Sequence, residues 1–307
     1  MKIDLETFDF NNFEEYVNEH RHNIMTNKCL FHYTNLDALI NILKTNTLWA
    51  THCKYLNDLM ELTDFERLYN SLMDSKNEKF NKYVKIFKEN IFEGIFKQLR
   101  EKTFIISFTE DNDVVAMWRS YGKNGIVLEF DASIMVNTVK YDEVNILNRN
   151  NEIKKISTAK RYGEAMYDDS YIKQIFESSF ELFSRLSELK NPDKENEIHN
   201  AIMNELYNSF YGAYIQKKDK NFRYENEFRM AFTLEDKDIG NVENFRVNNN
   251  LIIPYIAVEF KHDGKLPLKS VTINPEQKDC MYEESIKYLL KAYDYDIPIK
   301  YSGSKLR

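Results

Sequence analysis

The strongest constraint on how this chain can fold is the way its apolar residues change period. Gly125–Phe130 (GIVLEF) sets Ile126, Leu128 and Phe130 on one side, the two-residue repeat of a half-buried strand. Leu36, Leu39, Ile40 and Leu43 recur instead at i, i+3, i+4 and i+7, the repeat of a helix with one buried face. Asn35, just before them, has the side chain to cap the first turn. Segments of both kinds succeed one another without the regular strand–helix–strand alternation of a doubly wound sheet. The expectation is an α+β fold around a mixed, mainly antiparallel sheet.

Further strands are expected at 29–34 (CLFHYT), 47–51, 104–108, 228–233, 252–260, 270–273 and 297–301. Helices are expected over Phe13–Met25, from Asn57, over Tyr83–Leu99, from Asp113 to a stop at Gly122, and over Glu283–Tyr293. With 8 glycines and 5 prolines in 307 residues, and no linker rich in Gly, Ser or Pro, residues 1–307 read as a single α+β domain. Residues 145–215 read as a mostly helical insertion, polar from Glu164 to Gln216 and broken near Asn191–Pro192.

Several classes of function are disfavoured. The net charge is −7, and no basic block exceeds the Lys217–Lys218–Asp219–Lys220 cluster. That argues against broad nucleic-acid binding, where phosphate neutralisation dominates affinity. The three cysteines include no C-x-x-C pair, so neither a disulfide framework nor a Cys-rich metal site is indicated. The first residues are acidic and lack an apolar run, and nothing approaches 18 consecutive apolar residues. A cytoplasmic location without a membrane partner is expected. Nucleotide fingerprints of the Walker A or G-x-G-x-x-G kind are lacking, as is a G-x-S-x-G elbow, and no metal site is expected.

Three segments gather the residues able to do chemistry. Phe31–His32–Tyr33–Thr34 stands at a strand-to-helix junction, where the imidazole and Thr34 can bond a ribose hydroxyl or a phosphate. The plainer reading is a histidine bonded to a neighbouring backbone group. Ser107–Phe108–Thr109 leads to a short helix with Met117, Trp118 and Tyr121 on one face. Such rings are ordinarily core; Tyr121, with a hydroxyl in need of a partner, is also suited to a cleft. Tyr224–Glu225–Asn226–Glu227–Phe228–Arg229 opens a strand. Extended geometry would put Glu225 and Glu227 on one side and Asn226 on the other. One carboxylate could orient a sugar hydroxyl while the other serves a nucleophile; the alternative is an ion-pair network with Arg223 and Arg229.

The order FHYT, LND..E, SFTE.......MWRSYG..GIVLEF, YENEFR and a closing VTINPE–helix–SGSKLR resembles an uncharacterised bacterial family. More distantly, the layout resembles ADP-ribosyltransferases of the His–Tyr–Glu class. That resemblance implies their fold, NAD as substrate, and a protein or nucleic-acid acceptor, as in toxins and anti-phage effectors. It implies that His32, Tyr33 and Thr34 hold NAD and that Glu227 binds the nicotinamide ribose. Glu225 supplies the E-x-E and would deprotonate the acceptor, and Arg229 would keep a glutamate ionised or touch the pyrophosphate. Ser107 and Phe108 fall where the class has its stacking tyrosine, and Tyr121 is the nearest tyrosine to substitute. A non-catalytic module binding a nucleotide or protein in the same cleft is the competing expectation.

Overall fold

In the computed structural model, the described residues are 28–56, 97–122, 125–139, 143–170, 211–277 and 279–304, with isolated positions at 65, 67, 68, 70, 71, 172 and 173. The helix expected over Phe13–Met25 and most of those expected from Asn57 and over Tyr83–Leu99 lie outside them; the isolated positions 65, 67, 68, 70 and 71 of the second are helical.

Among the described residues, eleven strands form one sheet: β1 (Cys29–Thr34), β2 (Thr47–His52), β3 (Thr103–Thr109), β4 (Ile126–Asp131), β5 (Glu143–Leu147), β6 (Ile153–Glu164), β7 (Glu227–Leu234), β8 (Asn244–Asn248), β9 (Leu251–Glu259), β10 (Leu268–Ile273) and β11 (Ile299–Tyr301). Six of them close a ring in the order β3-β2-β9-β5-β6-β7, because β3 pairs β7 as well as β2. β1, β4, β10 and β11 form a wing that branches from β3, and β8 hangs on β9 as a hairpin. Every pairing is antiparallel except β10–β11. The fold is thus a mixed α+β architecture with a barrel-like antiparallel core.

Alternation along β3 and β7 separates the two faces. Their register pairs Phe104 with Phe232, Ile106 with Met230 and Phe108 with Phe228, and all six residues belong to the main core. Burying each such ring stabilises by roughly 2–3 kcal/mol. The intervening pairs, Thr103–Thr233, Ile105–Ala231, Ser107–Arg229 and Thr109–Glu227, face the other way. Core packing on one face therefore fixes which polar residues stand together on the other.

Helix α1 (Leu36–Thr45) follows β1 directly, and Asn35 Oδ1 accepts a hydrogen bond from Ala38 N–H at 2.8 Å, as its sequence position suggests. Its buried stripe is Leu39, Ile42 and Leu43; Ile40, expected inside, is 44 % exposed. Helix α2 (Lys97–Lys102) leads into β3. Helix α3 (Val115–Ser120) presses Met117 and Trp118 on Phe31, Tyr33 and Val127, a satellite core on the outer face of β1 and β4. Helix α4 (Ala132–Thr138) is capped by Asp131, and α5 (Cys280–Ala292), capped by Asp279, packs Ile286 and Leu290 on the main core.

The insertion expected at 145–215 begins differently. Residues 143–164 are mostly β5 and β6, two ring strands, so the expectation of helix fails there. β6 is rich in Lys and Arg because one face of this ring strand is solvated, and its polar sequence hides the strand. Residues 211–216 are helical, and 174–210 lie outside the described residues.

The start of β4 shows why a glycine is needed there. A Cβ on Gly125 would come 2.2 Å from the Thr34 carbonyl oxygen, and backbone cannot yield as a flexible side chain can. Gly125→Ala is expected to destabilise by about 1–3 kcal/mol through overpacking, read from urea unfolding. An unchanged midpoint would contradict the close approach of β1 and β4 at that point.

Candidate functional site

The site arises from an unequal use of strand edges. One edge of β3 is taken along its whole length by β7. Both β1 and β2 attach to the other edge, β1 only at Phe31–Thr109 and β2 only at Thr51–Ile105 and His52–Phe104. Between those attachments the edge of β3 is open, and a cleft of about 590 Å³ lies over it. This is within the roughly 300–1,000 Å³ usual for ligand sites. Ser107, in the middle of an otherwise buried strand, is exposed on its floor.

His32 fills part of the opening. Its Nδ1 lies 3.1 Å from the Ser107 carbonyl oxygen, and a carbonyl only accepts, so Nδ1 carries the proton. Burial pulls the imidazole below its ordinary pKa; the Ser107 carbonyl opposes this, and the charge of Arg246 adds to it. A neutral ring with Nδ1 protonated leaves Nε2 as an acceptor, and it has no partner among the described residues. The plainer expectation for His32 is met, since one nitrogen satisfies backbone; the other borders the cleft.

The opposite wall carries four buried charges. Lys218 Nζ donates to Glu225 Oε2 and, at 2.6 Å, to Glu227 Oε2. Arg229 Nη2 donates to the same Glu227 oxygen at 2.9 Å, while its Nη1 donates to the Ile215 carbonyl at 2.8 Å. Tyr121 Oη donates to Glu225 Oε1 at 2.8 Å, and Glu227 N–H donates to Tyr167 Oη at 2.9 Å. Glu225 and Glu227 are 3 % and 4 % exposed, and Arg229 is 1 % exposed. Burial, the largest influence, opposes ionisation of Glu227, but Arg229 and Lys218 together outweigh it and hold the carboxyl at about 2. Glu227 Oε1 has no partner among the described residues.

The route by which both carboxylates meet Lys218 differs from the extended one expected. Lys220–Glu225 is a turn of 3-10 helix, capped by Asp219, and Asn226 adopts the left-handed conformation (φ 39°, ψ 53°) before β7 starts. Asparagine tolerates that conformation better than most residues. The ion-pair reading of this block is realised, with Lys218 in the place expected of Arg223.

Thr34, Ser107, Tyr121, Glu225 and Glu227 border the cleft together with His32. Phe108, Tyr33 and Arg229 line the cleft too, but their nearest contacts differ from those expected. Phe108 is 2 % exposed and belongs to the main core, its ring 5.7 Å from that of His32, so it braces the imidazole rather than offering a free stacking face. Tyr33 alternates to the face of Trp118, 5.0 Å away edge-on, and its hydroxyl accepts from Val114 N–H at 3.1 Å; burial raises its pKa to about 12. Arg229 is committed to Glu227 and to backbone carbonyls, so it holds the glutamate ionised and does not reach toward a pyrophosphate.

Sequence reasoning missed Lys218, Tyr167 and Arg246. Lys218 stood in the basic cluster already noted, and its partners, at i+7 and i+9, gave no periodic signal. Among the described residues no group of three or more His, Cys, Asp or Glu side chains is placed to hold a metal ion, and no helix is long and apolar enough to cross a membrane.

Fold and site together define an α+β protein with a polar cleft at a branch in its sheet. Residues 117–230 match the model of a family described as a protein of unknown function (DUF2971). The matched span includes the MW-x-x-Y helix and the YENEFR block, agrees with the expectation of an uncharacterised family, and leaves FHYT outside. No curated protein and no solved structure matches the chain.

The charge cluster makes stability depend on pH in a defined direction. Folding lowers the Glu227 pKa from 4.5 to about 2, worth roughly 3 kcal/mol. This stabilisation is complete above the unfolded value and disappears as pH falls from about 4.5 toward 2. The stability difference between wild type and Glu227→Gln, from urea unfolding, is expected to be flat above pH 5 and to shrink below it. A difference that grows on acidification would contradict the assignment.

Proposed function

We propose that the cleft binds NAD and cleaves its nicotinamide–ribose bond, making the chain an ADP-ribosyltransferase-like enzyme of the His–Tyr–Glu class and fold that acts in the cytoplasm. The observation that carries this reading is the convergence of His32, Thr34, Ser107 and Glu227 on one cleft, from segments nearly 200 residues apart in sequence. The acceptor nitrogen of His32 suits a ribose hydroxyl. The open Oε1 of Glu227 suits a hydroxyl of the nicotinamide ribose, and its charge stabilises the oxocarbenium-like centre formed as the bond breaks.

In the step proposed, the C1′–nitrogen bond breaks with its electron pair leaving on neutral nicotinamide. An acceptor oxygen or nitrogen, from a protein side chain, a nucleobase or water, bonds to C1′. The acceptor's proton passes through Tyr121 to Glu225, whose Oε1 already takes the Tyr121 hydrogen. Modification of a macromolecule in this way fits a toxin or an anti-phage effector.

One observation favours a second reading, a non-catalytic module binding a nucleotide or protein. Both carboxylates are nearly sealed and share the Lys218 ammonium, which dilutes the charge either presents to a ligand.

Nicotinamide release separates the two. Wild type is expected to release nicotinamide from NAD, and Glu227→Gln to lower turnover by about 10²–10³ while calorimetric NAD affinity stays within severalfold. NAD binding without release, tolerant of Glu227→Gln, selects the binding module. Neither binding nor release sinks both readings for NAD.

A further inference from the structure

Arg246 differs from the paired charges of Lys218, Glu225, Glu227 and Arg229 on the cleft described above. It projects from β8 into the cleft, beside Trp49 and Thr51 of β2. Its Nη2 donates to Thr51 Oγ1 at 2.9 Å, and its guanidinium carbon lies 5.6 Å from the centroid of the Trp49 ring. Trp49 is backed in turn by Tyr255, with ring centroids 4.5 Å apart. These contacts fix the plane and position of the guanidinium but do not balance its charge. Among the described residues no carboxylate lies within ion-pair distance of it, and its Nε is buried without a hydrogen-bond partner. Its unengaged donors are those a planar guanidinium uses for bidentate contact with oxyanions. Burial also lowers its affinity for its proton, as expected of a cation held without a counterion.

The four charges on the other wall differ: Lys218 and Arg229 are matched by Glu225 and Glu227. A ligand anion entering the cleft thus finds its uncompensated positive charge at Arg246. His32 lines the same cleft, so the two residues border one space.

We propose that Arg246, held by Thr51 and Trp49, is an anion subsite for the phosphate groups of a nucleoside diphosphate-type ligand. The His32 acceptor then meets a sugar hydroxyl of the same molecule. The inference deepens the NAD reading by placing its diphosphate, but requires only that the ligand be phosphorylated.

The test is calorimetry of the full chain with inorganic pyrophosphate, ADP and adenosine, each against wild type, Arg246→Gln and Arg246→Lys. Thermal melts with and without pyrophosphate run alongside. ADP is expected to bind wild type more tightly than adenosine. Arg246→Gln is expected to weaken ADP and pyrophosphate about 10- to 100-fold and leave adenosine unchanged, with Arg246→Lys between. Pyrophosphate should raise the melting temperature of wild type and not of Arg246→Gln. Binding of pyrophosphate but not ADP would overturn the nucleotide assignment. Equal affinity of ADP for wild type and Arg246→Gln, or no binding of either phosphate compound, would overturn the subsite. Should Arg246→Gln fail to fold, Thr51→Val removes the anchor and is expected to weaken ADP severalfold; unchanged affinity would overturn the proposal. Phosphate binding that depends on Arg246 without nicotinamide release would sink the NAD-cleavage reading and leave this one standing.

Discussion

A strand has two edges, and β3 divides one of them between two partners. β7 occupies the first edge from Thr103 to Thr109, and this ladder closes the ring. β1 takes the Thr109 end of the second edge and β2 takes the Phe104–Ile105 end. The backbone left between them would be exposed to water or unsatisfied without a side-chain partner. His32 meets that need by bonding the Ser107 carbonyl, and in doing so acquires its tautomer, its orientation and its place in a cleft. One divided edge therefore produces both the opening and the imidazole that borders it.

The same ladder positions the acidic wall. Because Phe104, Ile106 and Phe108 face the core with Phe232, Met230 and Phe228, Glu227 must stand opposite Thr109, and Arg229 opposite Ser107. A one-residue slip would send Glu227 and Arg229 into the apolar core, at a cost far above that of losing ordinary contacts. Hydrophobic packing thus determines where the charges go. The charges are tolerated because each is paired: buried ions are expensive, and Lys218 and Arg229 compensate two carboxylates that would otherwise repel. What remains available is one oxygen of Glu227, ionised at any pH near neutral.

Much of this was legible in the sequence, for physical reasons. β3, β4, β7 and α1 set apolar residues on the main core at two- or 3.6-residue spacing, β1 and β2 are short runs buried on both faces, and a cap at Asn35 marks where strand gives way to helix. Glu225, Glu227 and His32 stood out because charged or imidazole groups bounded apolar strands. β8 was invisible because its pattern is inverted. Phe245 and Val247 face solvent, 56 % and 75 % exposed, while Asn244, Arg246 and Asn248 alternate to the other side. A reader assuming apolar-inside would place Arg246 in water. The turn at Asn226 was hidden for another reason: left-handed backbone leaves no trace in periodicity, and YENEFR reads as extended by alternation alone.

The role of α3 follows from how it is held. Asp113 accepts hydrogen bonds from Trp118 Nε1 at 2.8 Å, from Gly303 N–H at 2.8 Å and from Ser302, while Ser304 donates to its carbonyl. Burial, the largest influence on Asp113, opposes its charge, yet these donors together depress its pKa and keep it ionised. The segment Ser302–Ser304 thus straps the start of α3 to the wing, and Trp118 anchors its middle against Tyr33. The far end then delivers Tyr121 to Glu225. Trp118 is core, as its type suggests, but it is also the means by which the tyrosine that ends a six-residue helix reaches a buried carboxylate. Structural and chemical roles are not alternatives here: the rigid packing of one face of α3 sets the position of the polar group on the other.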